Sequence, residues 1–273
     1  GKIERRHRRL KGVSHLISGL KVPVTFFSLH YLVFLAVSSR PVWQSRNLEP
    51  KDRSVMPRFR RLVAPGHPHH VTQRGVRRQK TFFDERDYRS YLGMANKLRE
   101  TCSLEILCYC LMPNHIHAVV VPHHETSLSR FFGKLHHEYA RRTNFRYDWT
   151  GHLWQNRFFS VVMDESHTIT AMRYVERNPV RSGLVRSPLD WPWSSARGNL
   201  GLVDDTLIAG QPARRLISDW QAYISGPEDE QDLKELRRVT GTGRPTGDST
   251  FIQTIESISG RRIRRRSAGR TKK

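Results

Sequence analysis

The hydrophobic positions of the chain follow two different periods, which predict a series of strands and helices. Segments that alternate or stay apolar predict four strands, at His70 to Arg74, Leu104 to Leu111, Ile116 to Val121 and Arg157 to Val162. Between them, apolar residues three and four positions apart predict two helices. The first carries Tyr88, Tyr91, Leu92, Ala95, Leu98 and Cys102, and the second carries Leu128, Phe131, Phe132, Leu135 and Tyr139.

Local signals define the boundaries of these elements. Asp84 precedes the first helix, where a side-chain oxygen can accept hydrogen bonds from the N–H groups of the first turn. The residues between the second and third strands, 112–114, predict a tight turn, so these strands should form a hairpin. The resulting β-α-β-β-α-β order predicts an α+β fold of the ferredoxin-like kind. Both helices should cover one face of an antiparallel sheet.

A further helix is predicted after the fourth strand. It begins near Glu165 and ends by Asn178, because Pro179 cannot continue a helix comfortably. Tyr174 lies four positions before Asn178, which places a phenol and a carboxamide on one face of the last turn.

Two histidines separated by one residue lie on the predicted third strand. His115 and His117 project from the same face of the sheet, since strand side chains alternate. Two neutral imidazoles side by side can share a divalent cation, and Asn178 is a candidate third ligand. To reach that cation, the helix carrying Tyr174 must cover the histidine face, opposite the first two helices. The combination predicts cleavage of a nucleic-acid strand.

Other functions fit these motifs taken singly. A His-x-His pair on a strand is often only half-buried structure, and a helical tyrosine is often a core residue with its hydroxyl at the surface. A catalytically silent module that binds nucleic-acid hairpins and a zinc-type hydrolase are therefore alternatives. The hydrolase needs a carboxylate base and leaves Tyr174 without a covalent role. No Glu or Asp lies four residues after His115, which disfavours a zinc-protease helix.

Five blocks of sequence, in order, carry a resemblance to a known family. They are HVTQRG at 70–75, MPNHIH at 112–117, GHLWQNRF at 151–158, RYVERNPVRSGLV at 173–185 and WSS at 193–195. From about Met56 to Leu200 the chain resembles the single-tyrosine HUH transposases, also called IS200-like transposases, and among them the REP-associated tyrosine transposases of bacteria. A further block, GTGRP at 241–245, is similar to the tail of the REP-associated branch.

The resemblance implies a metal-dependent nuclease and strand transferase that acts on single-stranded DNA hairpins. Tyr174 would be the nucleophile, and its attack would leave a 5′-phosphotyrosine and a free 3′-hydroxyl. The cation, Mg²⁺ or Mn²⁺, would be held by His115, His117 and Asn178. A second 3′-hydroxyl would then attack the phosphotyrosine link and rejoin strands without ATP. The resemblance implies a monomer or dimer and no small-molecule substrate.

The charge of the chain agrees with a polyanionic partner. Its 273 residues include 47 Lys and Arg against 25 Asp and Glu, a formal net charge of +22, so the surface should attract nucleic acid. Aromatic residues alternate with charge in segment 141–149, a combination that holds single strands by stacking and phosphate neutralisation. Seven arginines are predicted to contact DNA: Arg74, Arg141, Arg142, Arg157, Arg173, Arg177 and Arg181.

Several other polar residues are predicted to be structural or superficial. The three cysteines lack paired Cys-x-x-Cys spacing, which argues against a structural zinc site and favours a reducing compartment. Cys108 and Cys110 should pack on one face of their strand. Glu105 and Glu176 are predicted to be surface carboxylates. Five further histidines are expected at the surface or at phosphates: His69, His123, His124, His136 and His137.

The chain is predicted to have three parts. Residues 1–55 are expected to be a non-native or disordered extension, 56–200 the transposase-like domain, and 201–273 a C-terminal extension. The apolar run Val22 to Val37 has sixteen residues, short of the roughly 20 that span a bilayer. A signal peptide fits it somewhat better, yet an exported transposase would have no substrate. We therefore expect a cytoplasmic, nucleoid-associated protein.

The end of the chain is strongly basic. Arg261 to Lys273 contains eight basic residues and no acidic one. This composition predicts a disordered arm that binds polyanions.

Overall fold

Four antiparallel strands form the centre of the fold in the computed structural model, which describes residues 61–208 and 210–263. The strands are β1 (His69–Arg74), β2 (Leu104–Met112), β3 (His115–Pro122) and β4 (Phe159–Val162). Their order across the sheet is β2-β3-β1-β4, and each neighbouring pair is antiparallel. The predicted N-terminal extension and the arm beyond residue 263 lie outside the described residues.

Three α-helices lie between the strands or directly after the last one. They are α1 (Glu85–Thr101), α2 (Ser127–Tyr147) and α3 (Glu165–Glu176). Asp84 caps α1 as predicted, because its carboxylate accepts hydrogen bonds from the backbone N–H groups of Arg86 and Asp87. The predicted β-α-β-β-α-β order and antiparallel sheet are therefore confirmed. The fourth strand is two residues shorter than predicted, because its pairing with β1 begins only at Phe159.

The first two helices cover one face of the sheet. Val71, Ile116 and Val120 point to this face and are fully or almost fully buried. They pack in one cluster with aromatic and aliphatic side chains of the helices: Tyr88, Tyr91, Phe131, Phe132, Leu135 and Tyr139. The residues that follow the helical period in the sequence are thus the ones that face the core.

The opposite face packs against α3 and the C-terminal extension. Cys108, Cys110 and Val119 belong to one buried cluster with Met172 and Val175 of α3. The helix that carries the tyrosine therefore lies on the histidine face, as the sequence predicted. The two strand cysteines share a face, also as predicted, and all three cysteines are buried and free.

The C-terminal extension completes this second layer with further helices. Trp220, Leu236 and Val239 are buried in the same cluster as α3. Ile255 and Ile263 close a smaller cluster against Val162 at the edge of the sheet. The helices that follow α3 are α4 (Asn178–Arg181), α5 (Ala196–Asn199), α6 (Pro212–Leu216), α7 (Trp220–Ser225), α8 (Glu230–Thr242) and α9 (Ser249–Ser259). The last four of these belong to the extension. In the part of the chain that is described, no helix combines the length and apolarity needed to cross a membrane.

The prediction that Glu176 is a surface carboxylate is wrong. Its side chain is fully buried, one turn after Met172 on the face of α3 that meets the core. Ser195 Oγ and Asn199 Nδ2 donate to Glu176 Oε1 at 2.7 Å each, and Trp220 Nε1 donates to Oε2 at 2.8 Å. Burial raises the pKa of this carboxyl, while the three donors act in the opposite direction. The carboxyl thus joins α3 to α5 and α7.

We expect Glu176→Leu to lower the free energy of unfolding by about 3 kcal/mol, because three buried donors lose their acceptor at once. Urea unfolding followed by circular dichroism measures this difference. Glu105→Leu is the matched control. That carboxylate is partly exposed and forms an ion pair with Arg215, and exposed ion pairs contribute little. A Glu176→Leu variant as stable as the control would contradict the buried network.

Of the five histidines that the sequence predicted at the surface or at phosphates, two are buried, contrary to that prediction. His69 Nδ1 lies 2.7 Å from the carbonyl oxygen of His67, and His136 Nε2 lies 3.0 Å from the Tyr91 hydroxyl. Burial lowers the pKa of His69 to about 4 and that of His136 to about 3. Both are therefore neutral core residues that satisfy their hydrogen bonds internally. The other three, His123, His124 and His137, are exposed as predicted.

Candidate active site

A cavity of about 560 Å³ opens where β1 ends and β3 begins, and it collects the predicted reactive residues. Tyr174, His115, His117 and Asn178 all line it. The strands, the segment before β4, the end of α4 and the C-terminal extension supply the rest of the lining: His70, Thr72, Gln73, Arg74, Gln155, Asn156, Arg157, Phe159, Ser182, Arg237, Thr240 and Gly241.

The two predicted metal ligands lie side by side on β3. The ring centroids of His115 and His117 are 5.0 Å apart, and the two residues face Arg74 and Thr72 across the sheet. Burial lowers the pKa of His115 to about 4, with a further contribution from the Arg74 charge. Burial also holds the pKa of His117 well below its usual value. Both imidazoles are therefore neutral near pH 7, which is the state that binds a metal.

Hydrogen bonds leave one nitrogen of each imidazole available. His115 Nδ1 lies 2.6 Å from Asn114 Oδ1, so this nitrogen carries the proton and donates. His117 Nδ1 lies 3.0 Å from His70 Nε2. Within the described residues, the Nε2 atoms of His115 and His117 have no hydrogen-bond partner.

The phenol of Tyr174 lies next to the histidines. Its ring centroid is 5.6 Å from that of His117 and 6.1 Å from that of His70, in edge-to-face arrangements. The guanidinium of Arg181 covers the Tyr174 ring, with its central carbon 3.9 Å from the ring centroid. Arg181 also donates to the backbone carbonyl of Tyr174. The Arg181 guanidinium therefore contacts both the ring and the backbone of the predicted nucleophile.

Asn178 is buried beside the tyrosine, although it does not lie within α3 as predicted. That helix ends at Glu176, and Asn178 begins α4 after the single residue Arg177. Pro179 is tolerated there because a first helical turn does not need its N–H. Because only one residue separates α3 from α4, Asn178 still lines the same cavity as Tyr174, four positions earlier.

These donors fit a divalent cation. The Asn178 carboxamide is buried, and its Nδ2 has no hydrogen-bond partner. A half-turn of the carboxamide would exchange nitrogen for oxygen at that position. In residues 61–208 and 210–263, no group of three or more His, Cys, Asp or Glu side chains is placed to hold a metal. Two imidazoles and one carboxamide oxygen are the groups that could hold a cation here, and phosphate or water would complete the coordination.

The predicted DNA-contacting arginines fall into two groups. Arg74 and Arg157 are exposed and line the cavity, and Arg141 and Arg142 are exposed on α2. The other three bind the C-terminal extension. Arg173 donates to the carbonyls of Gly226 and Pro227, Arg177 donates to the carbonyl of Ile224, and Arg177 and Arg181 form ion pairs with Glu228 at 3.0 and 2.6 Å.

The aromatic segment predicted to stack on single strands lies at the same end of the sheet as the cavity. Phe145 is 91% exposed. Tyr147 and Trp149 stack with their centroids 5.1 Å apart, and Trp149 meets Phe83 edge to face. From there the chain returns to the cavity rim, where Gln155 N donates to the carbonyl of Arg74 at 2.9 Å.

Among the cavity residues to which the sequence assigned no role are His70, Arg237 and Thr240. His70 lies in the first block of the family resemblance, but its side chain was given no function. Arg237 and Thr240 lie one turn apart on α8, just before the block at 241–245. Their positions beside these two blocks were the only sequence signal for them.

Comparisons with known proteins find a family that is similar to part of this chain. Residues 66–178 match the model of the family described as “Transposase IS200 like”. The chain is 26% identical over 113 residues to a Haemophilus influenzae protein named “Putative REP-associated tyrosine transposase”. That match covers 36% of this chain and 63% of the relative, so the chain spans less than two thirds of the relative's length.

A solved structure described as “Structure of the REP associates tyrosine transposase bound to a REP hairpin” is also similar. The two chains share 21% sequence identity with a TM-score of 0.47, over 57% of this chain and 93% of the other. The family match itself includes His70, both β3 histidines, Tyr174 and Asn178, and it ends before α8. The resemblance found in the sequence is thereby confirmed: residues 66–178 are similar to the IS200-like transposase family.

Proposed function

We propose that the protein is a metal-dependent endonuclease and strand transferase that cuts and rejoins single-stranded DNA hairpins through Tyr174. The observation that carries this proposal is the position of the Tyr174 ring, 5.6 Å from that of His117 on a cavity that also holds His115 and Asn178. A nucleophile beside a metal-binding pair is the arrangement that phosphodiester cleavage needs. The family match of residues 66–178 supports the same activity.

In the proposed reaction, the Tyr174 phenol oxygen forms a bond to phosphorus while the bond from phosphorus to the 3′ oxygen breaks. The phenol proton passes to solvent, and the departing 3′ oxygen takes up a proton. The product is a 5′-phosphotyrosine and a 3′-hydroxyl. A second 3′-hydroxyl reverses these steps and joins a new strand, because the phosphodiester energy is retained in the covalent link.

The residues of the cavity have distinct roles in this reaction. His115, His117 and Asn178 hold the cation, Mg²⁺ or Mn²⁺, which when bound polarises the scissile phosphate and neutralises its developing charge. Arg181 fixes the Tyr174 ring from one side and places positive charge beside the phenol, which becomes negative on losing its proton.

Cationic and aromatic side chains provide a path for the DNA. Arg74, Arg157 and Arg237 line the cavity and are exposed, so they are placed to neutralise phosphates on either side of the scissile one. The exposed rings of Phe145 and Trp149 offer stacking surfaces at the same end of the sheet. This pairing of charge with stacking suits a single strand better than a duplex.

The alternative functions are less well supported. A zinc-type hydrolase needs a carboxylate base at the metal, and the described residues that line the cavity include no Asp or Glu. A silent binding module needs neither the free imidazole nitrogens nor a phenol beside them.

A denaturing gel tests the proposal. The protein is incubated with single-stranded DNA hairpins labelled at the 3′ end, which stays on the fragment joined to the protein, in the presence of Mn²⁺. The expected result is a labelled band that migrates with the protein and disappears on protease treatment. A hairpin cleaved without any covalent band would favour the hydrolase. Binding without cleavage would favour the silent module.

The basic arm makes a separate prediction about DNA affinity. Because Ile263 is buried in the small cluster that contains Ile255 and Val162, the chain should be shortened after Ile263 to leave that cluster intact. We expect the shortened protein to bind single-stranded hairpins more weakly and with a flatter dependence of log affinity on log salt. Each lost phosphate contact removes about 0.7 from the slope. Fluorescence anisotropy at several salt concentrations measures both quantities, and an unchanged slope would show that the arm makes no phosphate contacts.

A further inference from the structure

A chain of hydrogen bonds joins the predicted metal ligand His117 to helix α8 of the C-terminal extension. His117 Nδ1 lies 3.0 Å from His70 Nε2, and His70 Nδ1 lies 3.2 Å from Thr240 Oγ1. Thr240 Oγ1 in turn donates to the carbonyl of Leu236 at 2.7 Å. His70 is almost completely buried in β1, so water does not replace these partners. The family match ends before α8 and therefore does not include Thr240.

The hydrogen bond between the two imidazoles can form with either ring as the donor, and the two arrangements have opposite consequences for metal binding by His117. If His117 Nδ1 carries the proton and donates to His70, the lone pair of His117 is on Nε2 and is free to bind a cation. If His70 Nε2 donates instead, His117 carries its proton on Nε2 and cannot bind a cation there. Neither ring can donate at both nitrogens while it is neutral.

The hydroxyl of Thr240 selects between these arrangements. Its proton is directed to the carbonyl of Leu236, the shorter of its two contacts. Thr240 Oγ1 is then an acceptor, and His70 Nδ1 must donate to it. A neutral His70 that donates from Nδ1 can only accept at Nε2, so His117 must donate from Nδ1.

We infer that His70 and Thr240 are positioning residues that hold His117 in the metal-binding tautomer, and that helix α8 of the extension is therefore part of the active site. This inference rests on the proposed function for the role of His117 as a ligand. Partners that orient a ligating histidine in this way raise its basicity and fix its ring, and their loss weakens metal binding about 10- to 100-fold.

Nitrogen-15 NMR of histidine-labelled, metal-free protein tests the tautomer directly. We expect His117 to be protonated on Nδ1 and bare on Nε2 near pH 7. In Thr240→Val, which keeps the shape of the side chain but removes the acceptor, we expect a mixture of both tautomers. Thr240→Ser should restore the single tautomer. His117 protonated on Nε2 in the unaltered protein would overturn the inference.

Isothermal titration with Mn²⁺ alone gives the second readout. His70→Phe should weaken Mn²⁺ binding about 10- to 100-fold, and Thr240→Val should weaken it in the same direction. His70→Gln should recover part of the loss, since its carboxamide oxygen can accept from His117. Thr254→Val on α9 is the matched control, because its hydroxyl makes the same bond to the carbonyl four residues earlier but is exposed.

The two proposals fail in different ways. Neither readout involves DNA, so a protein that shows the expected tautomer and Mn²⁺ affinities but forms no covalent adduct would refute the proposed function alone. Mn²⁺ affinities of His70→Phe and Thr240→Val within twofold of the unaltered protein would refute the positioning role. Thermal unfolding of each variant distinguishes a local loss of binding from a loss of fold.

Discussion

The Tyr174→Phe variant is expected to form no covalent DNA adduct while keeping its fold and its affinity for hairpins. The substitution removes one oxygen and leaves the ring, so the edge contact with His117 and the Arg181 guanidinium above the ring are retained. Loss of a nucleophile that has no substitute lowers the rate by at least about 10³-fold. The denaturing gel measures the adduct, and anisotropy measures the affinity.

Tyr223→Phe is the matched control for this experiment. Tyr223 is also partly buried on the same face of the sheet, and the Arg173 guanidinium covers its ring with the central carbon 4.4 Å from the centroid. Its hydroxyl is not part of the cavity. We expect this variant to cleave at the unaltered rate. Cleavage by Tyr174→Phe at the same rate as Tyr223→Phe would overturn the covalent mechanism.

The double substitution His115→Ala with His117→Ala is expected to abolish cleavage by a different route. Without the two imidazole nitrogens the cation loses most of its protein ligands, so we expect Mn²⁺ affinity to fall about 100-fold or more. Cleavage should fall by at least about 10³-fold, since a cation at a phosphate contributes several kcal/mol. Tyr174→Phe, in contrast, should bind Mn²⁺ almost normally. The two variants therefore separate metal binding from nucleophilic attack.

An exposed pair of histidines provides the matched control for this double substitution, because changing it also replaces two adjacent or nearly adjacent histidines by Ala. His123 and His124 are exposed at the start of the segment before α2 and are not part of the cavity. Their double substitution by Ala should leave both Mn²⁺ affinity and cleavage unchanged. Unchanged Mn²⁺ affinity in His115→Ala with His117→Ala would place the cation elsewhere and contradict the assigned ligands.

The elements that carry the site could be predicted from the sequence because their signals are local. The alternation along β3 fixes which face His115 and His117 share, and the turn before it fixes the hairpin. The requirement that α3 reach this face followed from Tyr174 and the histidines together. The structure places the helix there, and the spacing from Tyr174 to Asn178 survives although a helix boundary falls between them.

The parts that were missed depend on contacts between distant segments. Glu176 looks superficial by residue type, since a buried carboxylate is rare unless it is paired. Its three donors come from residues 19 to 44 positions later. Arg173 and Arg177 were predicted to contact DNA because basic residues beside a nucleophile suggest phosphate binding. In the structure their guanidinium groups meet carbonyls in the last turn of α7 and directly after it, and no local pattern associates these carbonyls with α3.

The hydrogen bond between His70 and Thr240 joins residues 170 positions apart. A newly made chain can therefore form this bond only after α8 has been synthesised. Synthesis proceeds at about 5–20 residues per second. Tyr174 and both β3 histidines therefore leave the ribosome several seconds before α8. During that interval a nascent chain contains its proposed nucleophile and its proposed cation ligands without the helix inferred to set the proton on His117. A chain with the proposed activity would in this way acquire its full metal affinity only after α8 has been made.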